Sequence, residues 1–200
     1  MKKLVVPIII LLALALITWQ FFCKGTDKKD KQEEKQQPLA IKANSGPFNQ
    51  SYSELLNAYF GLKDALVASD TAKASAAALA LAAATDSLKV NEIKGDSTGV
   101  IKETAVVFSG TIKSSAEALA AEAGLKAKRK EFEMIADALW SLTRTVQYDG
   151  QKVYWQYCPM AFNNKGAYWM SNERDIRNPY FGSEMLNCGT VQDSLDYAGK

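Results

Sequence analysis

Ser51-Tyr52-Ser53-Glu54-Leu55-Leu56-Asn57-Ala58-Tyr59-Phe60-Gly61-Leu62-Lys63-Asp64-Ala65-Leu66-Val67 reads as one amphipathic helix, and the fold is read outward from it. Tyr52, Leu55, Leu56, Tyr59, Phe60, Leu66 and Val67 recur at three- and four-residue spacing, the period of a single helix face. Ser51 and Glu54 stand in the capping-box arrangement, so the helix is expected to start there. Asp70 and Thr71 are suited to end it and cap the next. Residues 72–89 are alanine-rich, with Leu81 and Leu88 among the few large side chains. Alanine is the best helix former and lets neighbouring helices approach closely. After a loop over 93–99, a third helix carries Ile101, Ala105, Phe108, Ile112 and Leu119 and ends near Gly124. A fourth carries Phe132, Ile135, Leu139, Leu142 and Val146 and ends before Asp149-Gly150. Glu131, Glu133, Lys126, Lys128, Arg129 and Lys130 read as its solvated face. The expected fold is mainly α, an up-and-down bundle of about four helices.

Upstream, Leu4 to Phe22 is a run of nineteen uncharged residues behind Lys2-Lys3. As a helix it would reach about 28 Å, close to the hydrocarbon thickness of a bilayer. Residues 1–23 are therefore expected to be an uncleaved membrane anchor, with Trp19 at the interface. Two other fates stay open. A cleaved signal is disfavoured because the only small-x-small triplet, Ala13-Leu14-Ala15, lies inside the run. Lipidation at Cys23 is disfavoured because Phe21-Phe22 precedes it. The short basic N-region is what export machinery reads, so the body is expected on the periplasmic side of an inner membrane. The lysines at 24, 28, 29, 31 and 35 weigh against that orientation. Residues 24–50, charged and Gln-rich with Pro38 and Pro47, are expected to be a flexible linker. Residues 51–200 then form one domain.

The chain of 200 residues contains no histidine. That excludes Ser-His-Asp and Cys-His catalysis, a His-containing zinc site and a ferritin-like di-iron bundle. Setting aside Lys2 and Lys3 leaves 22 basic and 22 acidic side chains, a balance that argues against a nucleic-acid partner. No nucleophile–base pair and no Cys-x-x-Cys redox motif is visible, so no enzyme is expected.

After Gly150 the composition changes. Nine of the twenty aromatics, two of the three cysteines and three of the four internal methionines fall in residues 149–200. Val153 to Tyr157 and Ala167 to Met170 are β-prone runs joined through Asn163-Asn164-Lys165-Gly166, which reads as a hairpin. The bundle is thus expected to carry a small irregular or β-hairpin C-terminal cap. Asn178-Pro179-Tyr180-Phe181-Gly182 reads as a turn-rich bridge towards Met185 and Cys188. Cys158 and Met160 flank a single proline, and soft thiolate and thioether donors select Cu(I) and similar ions. Folding Met185 and Cys188 back beside them would make a Cys₂Met₁₋₂ metal site. Spacing leaves three states open for the cysteines: a disulfide, metal ligands, or buried free thiols.

Tyr157-Cys158-Pro159-Met160, Gly166, Trp169, Ser171, Ile176, Asn178-Pro179-Tyr180-Phe181-Gly182, Met185-Leu186 and Cys188-Gly189 together resemble domain-of-unknown-function family 3347. The resemblance is loose over the helical body and close over 153–190. That domain occurs alone behind export signals and appended to periplasmic adaptors of copper–silver-type efflux pumps. Cys-Pro-Met is also similar to a short metal-binding motif of such adaptors, although that motif continues with histidine where this chain has Ala161. The resemblance implies Cys158, Met160, Met185 and Cys188 as ligands for Cu(I) or Ag(I), with efflux components as partners. Met170 sits where an apolar residue would serve as well. The chain lacks the length for the adaptor's own hairpin and barrel. The expected function is a membrane-tethered, exported soft-metal accessory. The alternative is an interaction module stapled by a Cys158–Cys188 disulfide.

Overall fold

The computed structural model describes residues 44–198. The expected anchor over 1–23, and the linker as far as residue 43, lie outside these residues. Among the described residues no helix is long and apolar enough to cross a membrane.

Four long helices follow one another: α1 (Gly46–Val67), α2 (Thr71–Asp86), α3 (Val100–Ala121) and α4 (Leu125–Val146). The first starts earlier than the capping-box reading places it. Ser45 accepts a hydrogen bond from the Phe48 N–H at 3.2 Å, and Pro47 sits in the first turn, where its missing N–H costs nothing. Residues 46–50, expected as linker, are therefore helical, and Phe48 is fully buried. Ser51 instead donates to the Phe48 carbonyl at 2.9 Å and accepts from the Lys89 N–H at 3.2 Å. Glu54 accepts from Gln50 on the surface. The other boundaries fall close to expectation, and Asp70 caps α2 by accepting from the Lys73 N–H at 2.9 Å.

Each helix packs on the next in sequence. Alanine explains why α2 fits so closely, because Ala74 and Ala78 are fully buried and present almost no side chain to hold neighbours off. Between α1 and α4 the space is filled by rings instead. Tyr59 stacks on Phe132 with centroids 5.3 Å apart, and the Tyr52 hydroxyl hydrogen-bonds Thr143 Oγ1 at 2.8 Å.

The solvated-face reading of α4 needs correction at three residues. Lys128 is 1 % exposed and donates to Ser75 Oγ at 2.6 Å and the Leu119 carbonyl at 2.9 Å, tying α4 to α2 and α3. Its apolar stem is buried while its amine is satisfied by groups from the other helices. Arg129 donates to the carbonyls of Pro179 and Leu66 and to Ser69 Oγ. Glu133, largely buried, pairs with Lys165 at 3.3 Å.

The tail forms an antiparallel sheet of three strands in the order β2-β1-β3: β1 (Val153–Cys158), β2 (Ala167–Ser171) and β3 (Thr190–Leu195). The expected hairpin is β1–β2, with Tyr157 opposite Tyr168 and Cys158 opposite Ala167. Its connection turns through left-handed Phe162, Asn163 and Asn164. β3 is an addition to the sequence reading. One face of the sheet meets the bundle, where Trp155 stacks on Trp140 of α4 at 4.7 Å. Buried Gln156 donates from Nε2 to the carbonyls of Glu173, Arg174 and Asp175, folding that segment back beside the sheet.

Candidate functional site

Cys158 ends β1 and is fully buried. Cys188 lies just before β3 and is half-buried. Their sulfurs are 2.6 Å apart, well inside the van der Waals contact of two unbonded sulfurs. The backbone explains the approach. Tyr157 pairs with Thr190, so the start of β3 runs alongside the end of β1. Gly189, at φ +145°, presses so close that a Cβ there would stand 2.9 Å from the Trp169 ring and from the Tyr157 carbonyl. Only glycine allows this contact, and it lowers Cys188 onto Cys158.

The two expected thioether ligands lie next door. Met160 is 45 % exposed, and its backbone N–H reaches the Cys188 sulfur. Met160 and Met185 share an open cleft of about 300 Å³ with Phe162, Tyr180 and Phe181, and Lys126 and Arg129 also reach it. Met170 belongs elsewhere. It is fully buried, with its sulfur 3.8 Å from the Thr143 hydroxyl, which makes it core. The structure thus joins Cys158 to Cys188 and sets Met160 and Met185 beside the pair.

Burial pushes the Cys188 thiol up to about 11, aided by the hydrogen bond to Cys158 and that residue's charge, while the Met160 N–H works the other way. A metal ion would have to displace this proton. Among the described residues no group of three or more histidine, cysteine, aspartate or glutamate side chains is placed to hold a metal. The donors brought together here are the two cysteine sulfurs, with the Met160 and Met185 side chains lining the neighbouring cleft. At a metal–sulfur bond of about 2.3 Å, two thiolates on one ion stand about 3.8 to 4.6 Å apart. The pair fits a soft ion once the sulfurs part by more than an ångström, a movement the Cys188 loop is better placed to make than strand β1. At their present spacing they are close to the disulfide bond length of about 2.05 Å.

The sequence places Asn178 and Tyr180 in a turn-rich bridge towards Cys188 without showing what they hold, and it gives no sign that Arg129 reaches this end of the molecule. Tyr180 is nearly buried, donates its hydroxyl to the Tyr168 carbonyl, and packs against Phe132, Phe162 and Trp169. The signal available was Asn-Pro-Tyr-Phe-Gly itself, whose turn chemistry was read without its packing.

The family described as "Protein of unknown function (DUF3347)" matches residues 55–150. Over these residues the match bears out the expected resemblance to that family. The match lies differently from the expected resemblance, running from Leu55 within α1 to the end of α4 and stopping before β1. The sulfur-bearing tail that carried the expectation lies outside the matched DUF3347 segment. No curated protein and no solved structure matches the chain.

Proposed function

We propose that this protein binds a soft monovalent ion, Cu(I) or Ag(I), as an exported, membrane-tethered accessory of heavy-metal efflux or sequestration. The observation that carries this reading is the convergence of Cys158 and Cys188, 30 positions apart in sequence, at a sulfur separation of 2.6 Å. Met160 and Met185 on the adjoining cleft support it, because thioethers add to a thiolate pair without adding charge. A dithiolate complex of a monovalent ion carries one negative charge, and Lys126 and Arg129 on the cleft offset it. The role is one of binding rather than catalysis. Export, tethering and the link to efflux rest on the N-terminal sequence and on the resemblance.

The close approach of the sulfurs also favours a second reading, in which a disulfide staples an interaction module and no metal binds. Competitive titration with Cu(I) and a chromogenic chelator, under anaerobic conditions on reduced protein, separates the two. The metal reading requires stoichiometric binding by the wild type, its loss in Cys158→Ser and Cys188→Ser, and weakening in Met160→Leu, which keeps the volume but loses the donor. Equal, non-stoichiometric binding by all four proteins leaves the staple.

A further inference from the structure

We infer that Asn178 is the positioning residue that holds Cys188 against Cys158. This rests on the same sulfur pair as the proposed function and applies whether the pair takes a metal or closes as a disulfide. Asn178 is fully buried, and each of its polar groups has a partner. Its side-chain Nδ2 donates to the Cys188 carbonyl at 2.8 Å. Its Oδ1 accepts from the N–H groups of Tyr180 at 2.8 Å and Phe181 at 3.3 Å. The backbone closes the same loop, because the Asn178 N–H donates to the Leu186 carbonyl at 2.8 Å and its carbonyl accepts from Gly182 at 2.9 Å.

One side chain therefore spans the base of the loop 178–188 and grips its last residue. The partners divide the work. Oδ1 shapes the turn, whereas Nδ2 touches only the residue that bears the second sulfur. Asp, with no amide donor, and Ser, with too short a reach, cannot do both. The start of the loop is fastened separately, by Arg129 donating to the Pro179 carbonyl at 2.8 Å. Loss of the Nδ2 bond frees the Cys188 backbone while leaving that fastening in place.

The test is the thiol–disulfide equilibrium of the full chain in a glutathione redox buffer. Oxidised glutathione takes two electrons from the pair, the Cys158–Cys188 bond forms, and both thiol protons leave with two reduced glutathiones. Alkylation with peptide mass mapping reads Cys158 and Cys188 apart from Cys23. Asn178→Ser keeps a hydroxyl able to accept from the Tyr180 N–H but loses the bond to Cys188. Its equilibrium constant for closing the disulfide should fall about tenfold, the weight of one hydrogen bond. Lys128→Met, which removes the tie of α4 to Ser75 and the Leu119 carbonyl outside the cleft, should lower the melting temperature and leave that constant unchanged. The inference is overturned by an unchanged constant in Asn178→Ser, or by equal losses in both variants. Should the wild type fail to bind Cu(I), the metal reading falls while the glutathione constant still decides the role of Asn178.

Discussion

The Tyr59 hydroxyl of α1 accepts a hydrogen bond from the Met170 N–H of β2 at 3.0 Å, across 111 positions of sequence. Both groups are buried, so a strand amide on the sheet's edge is satisfied by the bundle rather than by water. The sheet is accordingly docked on the helices, and Tyr180, Phe132 and Tyr59 continue the same core. Cys158, at the end of β1, thus stands on a sheet anchored to the bundle, the kind of support a binding site needs.

Closing the disulfide should stabilise the domain. A loop of about 31 residues corresponds to about 3 to 4 kcal/mol on the chain-entropy model. Urea unfolding of oxidised protein, with and without reductant, should show a gap of that size. Coincident curves would mean that the two sulfurs do not bond.

The raised Cys188 thiol gives the reduced protein a pH dependence of definite sign. Its folded value of about 11 exceeds the ordinary 9.0, so folding favours the protonated thiol. That contribution is fully present below pH 9 and is lost as pH rises towards 11. Denaturant midpoints of reduced protein should therefore fall over this range more steeply than those of Cys188→Ser. Cu(I) affinity should move the opposite way, rising with pH as the proton becomes easier to displace. Parallel stability profiles for the two proteins would contradict the burial of this thiol.

Two glycines that both have positive φ should respond differently to alanine. Gly99, at φ +78°, has open space around a new Cβ, and Gly99→Ala should cost about 1 kcal/mol for the left-handed conformation alone. Gly182, at φ +61°, would set its Cβ 2.6 Å from Ser69 Oγ and 2.7 Å from the Val67 carbonyl. Gly182→Ala should cost about 2 to 4 kcal/mol, because overpacking is added to strain. Chemical denaturation of the two variants makes the comparison, and equal losses would deny the close approach of the tail to the end of α1.

The fully buried face of α2 gives a similar contrast. Ala78→Leu should destabilise by about 1 to 3 kcal/mol, since α2 lies close against its neighbours and has no room for the larger side chain. Ala76→Leu, on the exposed face, should stay within about 0.5 kcal/mol of wild type in the same denaturation assay.

Much of this was legible in the residues, for identifiable reasons. α2 follows from alanine propensity and the Asp70 cap, both local. The β1–β2 hairpin follows from two aromatic runs and the turn chemistry of Asn163-Asn164-Lys165-Gly166. β3 was not legible, because Thr190-Val191-Gln192-Asp193-Ser194-Leu195 is a polar, half-exposed edge strand that exists through its pairing with β1. The helix start was misplaced because Pro47 reads as a breaker, yet is at home in a first turn. Lys128 and Arg129 read as surface charges, since the Leu119 and Pro179 carbonyls that bury them come from elsewhere in the chain. At the site, sulfur chemistry named Cys158, Met160, Met185 and Cys188, but their placement depended on Asn178 and Gly189, whose part is tertiary.

The most direct test of the central claim is X-ray absorption at the copper edge on anaerobically loaded, reduced protein. The predicted result is one Cu(I) per chain in a first shell of sulfur alone, with loading lost in Cys158→Ser and Cys188→Ser. A shell containing nitrogen or oxygen, or full loading that survives both substitutions, would contradict it.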